Sequence, residues 1–129
     1  MAGLIQAPDG NFYGATTSKA AGPRKDIGTY FQITPSGVLT IIFRFNQKEN
    51  SDQSLLYYQG SLFGVSAGDF KYMPGAIFAR NESAKGKWTR TVLHAFALNG
   101  SDGYLPRAPL ILGADGLLYG TTGQSAITD

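Results

Sequence analysis

LIQAPDGNFYGATT, residues 4–17, returns near the other end of the chain as LILGADGLLYGTT, residues 110–122. Shifting the sequence by 106 positions superposes Leu4 on Leu110, Ile5 on Ile111, Asp9 and Gly10 on Asp115 and Gly116, Tyr13 and Gly14 on Tyr119 and Gly120, and Thr16 on Thr122. A worn third version, LLYYQGSLFGVS at residues 55–66, keeps Gly60 and Gly64, puts Phe63 where the others have tyrosine, and has Gln59 before its turn glycine. Self-similarity at a fixed period marks a chain of like units, each burying its apolar face against a neighbour.

The segments between these motifs also pair. GTYFQITPSGVLTIIFRF at 28–45 corresponds to GAIFARNESAKGKWTRTVLHAF at 75–96, the second being longer at its central turn. One unit therefore spans about 50 to 56 residues. Within it, short apolar or alternating runs are separated by turn formers, and Tyr30, Gln32 and Thr34 alternate with Phe31 and Ile33 at the period of a strand. Glycine, proline and β-branched residues interrupt every window long enough for a helix. Asp9-Gly10, Pro35-Ser36-Gly37 and Asp115-Gly116 read as hairpin turns, where glycine supplies a positive φ cheaply and aspartate bonds nearby backbone; type I′ or a closely related hairpin, with positive φ at Gly10 and Gly116, is expected at the two Asp-Gly sites. Gly14, Gly64 and Gly120 fall inside strand patterns, where glycine implies close packing or a bulge.

The expected architecture is all-β, built of propeller-like tandem four-stranded units, about two and a half in one domain over 1–129: units at approximately 3–50 and 51–107 and a half-unit at 108–123. A β-sandwich is the alternative at this strand count. A half-unit cannot cover its own apolar face, so the expectation is either self-association, with a dimer favoured because twofold assemblies are commonest, or that these residues are a fragment of a longer repeat protein.

Residues 3–45 and 108–123, and more loosely 51–100, resemble a bacterial tandem-repeat family built on DGN-x-YGTT followed by GTVFKITPSG. The resemblance implies a propeller-like fold and an extracellular or cell-surface setting. No catalytic pattern comes with it.

The remaining signals narrow the chemistry. Eleven Lys and Arg against nine Asp and Glu leave a net charge of +2, too small to drive nucleic-acid binding by field alone. The absence of cysteine removes disulfides and thiolate sites. MAGLIQAPDG lacks the basic start and apolar core of a secretory signal, and no apolar run approaches membrane-spanning length, so no membrane insertion is expected. No metal-binding, phosphate-loop or nucleophile motif is present, so neither cofactor nor catalytic residue is assigned. His94, the only histidine, reads as an incidental strand residue. Asp9 and Asp115 are accounted for by their turns rather than as a glycosidase pair.

Tyr57, Tyr58, Tyr72, Trp88 and Tyr104 lie outside the repeat's own aromatic positions, Tyr13, Phe63 and Tyr119. Exposed rings of this kind suit a sugar face or a protein partner. Arg80, Lys85, Lys87, Trp88 and Arg90 form a basic-aromatic cluster that reads as a solvated loop ahead of a nucleic-acid contact. The functional expectation is a non-enzymatic binding or scaffold module that self-assembles, with a lectin-like carbohydrate-binding module and then a glycan-active enzyme as alternatives.

Overall fold

The computed structural model describes residues 3–17, 28–45, 51–66, 75–97 and 102–125; Tyr72 lies outside them. The chain is all-β. Strands β1 (Ile5–Gln6), β2 (Phe12–Thr17), β3 (Gly28–Ile33) and β4 (Leu39–Arg44) form one antiparallel sheet in chain order. Strands β5 (Ser51–Tyr58), β6 (Ser61–Ser66), β7 (Ala76–Glu82) and β8 (Trp88–Ala95) repeat that order in a second. The third unit has β9 (Gly103–Pro106), β10 (Ile111–Leu112), β11 (Leu118–Tyr119) and β12 (Thr122–Ser125), with β10 paired to β11 and β9 to β12.

Register shows how closely the units repeat. Ile5 faces Tyr13, Leu56 faces Phe63 and Ile111 faces Tyr119. Gly14 lies opposite Phe31, and Gly64 opposite Phe78. The pairing of third to fourth strand slips at one equivalent place in both complete units, between Tyr30 and Phe31 and between Ile77 and Phe78. A bulge kept at the same position belongs to the unit's design, because it re-aims the side chains on either side of it.

In the third unit, the first and second strands of the repeat are each broken in two. Leu105 has φ +56 and is followed by Pro106 and Pro109, neither able to donate to a ladder. Those residues divide β9 from β10.

The Asp-Gly turns are hairpins with positive φ at Gly10 and Gly116, as expected, but of the kind related to type I′ and not type I′ itself. Gly10 N–H donates to the Ala7 carbonyl and Ala7 N–H to the Asn11 carbonyl, and Gly10 has φ +84 while Asp9 does not have a positive φ. This is a three-residue loop, a type I turn closed by a glycine bulge. The same bonds recur around Gly37, Gly86 and Gly116. Pro8 explains the difference in the first unit, since a two-residue Asp9-Gly10 loop would pair Pro8 with Asn11 and proline has no N–H to close that pair. The worn hairpin is the one with the type I′ signature: Gln59 and Gly60 have φ 48 and 81.

The principal core lies between the first two sheets, where β2 runs beside β5. Tyr13, Tyr30 and Phe45 from the first unit pack with Leu55, Leu62 and Phe78 from the second, all buried. The Tyr30 ring meets Phe45 edge-on at 4.7 Å and Phe78 at 5.9 Å. Each sheet therefore has a forward face turned to the next unit and a rear face turned to the previous one, the packing expected of propeller-like units.

Candidate functional site

The repeated Asp-Gly-x-x-Tyr motif is a hydrogen-bonded latch. Asp9 Oδ1 accepts the Asn11 backbone N–H at 2.9 Å, while Oδ2 accepts the Asn11 side-chain amide at 3.0 Å and the Tyr13 hydroxyl at 2.8 Å. Gln32 Nε2, from β3, donates to that hydroxyl at 2.9 Å. Partial desolvation pushes the Asp9 carboxyl up, but the hydrogen bonds from Asn11 and Tyr13 outweigh it and hold the group below the usual range. Burial, reinforced by the Asp9 carboxylate, pushes the Tyr13 hydroxyl up to about 12. The third unit repeats the latch in the open: Asp115 accepts the Tyr119 hydroxyl at 2.6 Å and the Leu117 N–H at 3.0 Å. Those bonds, the hydroxyl's first, lower Asp115, and Asp115 in turn raises Tyr119.

The second unit loses every member together. Gln59, Phe63 and Ala79 stand where the first unit has Asp9, Tyr13 and Gln32. An acceptor left without its donor, or a donor without its acceptor, costs more than replacing both, which is the physical sense of the joint change. Sequence reading found the motif but missed Gln32; its joint loss with Asp9 and Tyr13 was the available signal.

The aromatic residues singled out from sequence do not form one surface. Tyr57 stacks on Tyr13 at 5.8 Å and Trp88 meets the same ring edge-on at 6.0 Å, so both serve the contact between the first two units. Tyr58 is half-buried at the worn hairpin, with its hydroxyl accepting from Gln59 at 3.0 Å, and Tyr104 lies half-buried on β9 opposite Gln124.

The basic-aromatic cluster is also divided, which corrects its reading as a single solvated loop. Lys85 and Lys87 are exposed in the turn, but Arg80 is buried with its guanidinium carbon 3.6 Å from the centre of the Phe43 ring. Half-buried Arg90 lies over Phe78. Arg80 occupies the position held by Ile33 in the first unit, and register places it there because β7 turns alternate side chains toward the preceding sheet. Cation–π attraction suits an arginine whose stem is already enclosed by rings.

Between the second and third units lies an open apolar cleft of about 390 Å³. Val65, Ile77, Leu93 and Phe96 line one side, and Leu110, Leu118 and Gly120 the other. His94 bonds Asp102 at 3.1 Å near this junction, and its ring meets Phe96 edge-on. Among the described residues no group of acidic, histidine or cysteine side chains could hold a metal, and no helix is long and apolar enough to cross a membrane.

Comparisons with protein-family models, curated proteins and solved structures gave no match.

Proposed function

We propose that the chain is a non-enzymatic β-repeat module that self-assembles head to tail and serves as a scaffold or binding element. One observation carries this reading: positions buried where the first unit meets the second are open at both outer ends. Tyr13 is 1% exposed but its equivalent Tyr119 is 48% exposed, and Leu55 is 9% exposed but its equivalent Leu4 is 58% exposed. Ile111 on the forward face of the third unit and Leu39 and Ile41 on the rear face of the first are likewise exposed. These end faces are the two halves of the contact already made inside the chain. Joining the forward face of one copy to the rear face of another repeats that contact, and two such contacts close a dimer.

The packing of Tyr57 and Trp88 on Tyr13 supports assembly over a sugar platform, since those rings are used between units. Light scattering from high to low micromolar chain concentration tests the proposal. A mass of two chains that falls on dilution is expected; a compact monomer throughout the range would overturn it.

A further inference from the structure

Three Asp-Gly bonds occur in the chain, at 9–10, 102–103 and 115–116. Such a bond is open to succinimide closure, in which the glycine nitrogen attacks the aspartate side-chain carbon, because glycine has no side chain to hinder the ring. The fold treats the three differently. At the two hairpins both reacting groups are tied. Gly10 N–H donates to the Ala7 carbonyl at 2.9 Å and Gly116 N–H to the Gly113 carbonyl at 3.0 Å. Asp9 and Asp115 each accept hydrogen bonds at both carboxylate oxygens within their latches. Against the desolvation at Asp9, those bonds hold both carboxyls below the usual range, and ring closure needs a proton on the oxygen that departs.

Asp102 has a different partner. It lies just before β9, outside the ladder, and its Oδ2 meets His94 Nε2 at 3.1 Å. A carboxylate oxygen only accepts, so Nε2 carries the proton of that bond. His94 is the one histidine of the chain, and imidazole is the side chain that passes protons near neutral pH. The two side chains are 49% and 30% exposed, so water reaches the pair. The glycine is fixed by packing, since a Cβ on Gly103 would run into the Thr122 side chain, and the fold therefore keeps the unhindered bond at this place.

From these contacts we propose that Asp102–Gly103 is a self-modification site, isomerising to isoaspartate with His94 as the acid. The Gly103 nitrogen bonds to Asp102 Cγ and gives up its proton, and the Cγ–Oδ2 bond breaks. The departing oxygen takes that proton and the one from protonated His94 Nε2, and leaves as water. Water then adds to the main-chain carbonyl of the ring and reopens it, freeing the α-carboxylate and returning one proton to His94. The product has one more main-chain carbon ahead of β9, which shifts Gly103 against Ser125 of β12. The inference concerns a single chain and is independent of how chains assemble.

The full chain is incubated for weeks at about pH 6 in water enriched in heavy oxygen, which enters a carboxyl group at each ring opening. Peptide mapping by mass spectrometry then reads heavy oxygen and isoaspartate at residues 9, 102 and 115. Labelling at Asp102 is expected to be about tenfold or more faster than at Asp9 and Asp115. His94→Gln, whose amide donates a hydrogen bond but releases no proton, should slow labelling at Asp102 about tenfold or more and leave the other two sites unchanged. In the urea-unfolded chain the three sites should label at similar rates. Labelling at Asp9 or Asp115 as fast as at Asp102 in the folded chain overturns the inference, as does an unchanged rate at Asp102 in His94→Gln. The comparison among sites needs no variant, so the test survives if His94→Gln folds poorly. A lead for Asp102 that persists in urea also overturns it, because the preference then comes from flanking residues and not from the fold.

Discussion

Tyr13 shows how much one hydroxyl does in this molecule. It donates to Asp9 and accepts from Gln32, tying the first turn to the third strand while the ring supports Tyr57 and Trp88. Tyr13→Phe should lower stability by about 1 kcal/mol, and Asp9→Ala by a similar amount. The double variant should cost less than the sum, because each single change strands the other's partner, as a double-mutant cycle by urea unfolding will report. The same latch fixes a pH window. Asp9 is depressed from 3.8 in the fold, so its contribution is present above that value and fades as pH falls through the folded pKa. Tyr13 is raised from 10.0 to about 12, so its contribution is complete below pH 10 and fades as pH rises toward 12. Thermal melts of Asp9→Asn should show a flatter acid limb, and those of Tyr13→Phe a flatter alkaline limb.

At the scale of the element, hairpin length selects the turn. The loops ending in Gly10, Gly37, Gly86 and Gly116 have three residues and use one left-handed glycine each, whereas the Gln59-Gly60 loop has two and needs positive φ at both. Glutamine is a poor residue at φ 48 and asparagine a good one. Gln59→Asn should therefore stabilise the second unit by about 0.5 kcal/mol, visible as a raised urea midpoint at unchanged slope. The loss of the Gln59 bond to the exposed Tyr58 hydroxyl is too small to reverse that sign.

For the whole molecule, the question is how open end faces are covered. On the proposed head-to-tail assembly, Tyr119→Glu and Leu39→Glu place a charge on opposite ends, and each should yield monomers by light scattering at concentrations where that assembly makes the parent chain dimeric. Mixing the two variants should restore a complex, because one of the two head-to-tail contacts then involves an unaltered face on each partner. A symmetric contact between like faces would not be rescued in this way, so failure of the mixture excludes the head-to-tail arrangement.

The amino-acid sequence alone determined the all-β class, the repetition of four-stranded units and the places of the turns. Turn chemistry and the two-residue strand period are local, so Asp9-Gly10, Pro35-Ser36-Gly37 and the alternation from Tyr30 to Thr34 carry them without knowledge of neighbours. What each side chain faces depends on the adjoining sheet. Only tertiary structure showed that Tyr57 and Trp88 enclose Tyr13 and that Arg80 lies on Phe43 and not in solvent. Alternation assigns a residue to one of two faces, whereas burial is decided by whether another unit lies against that face.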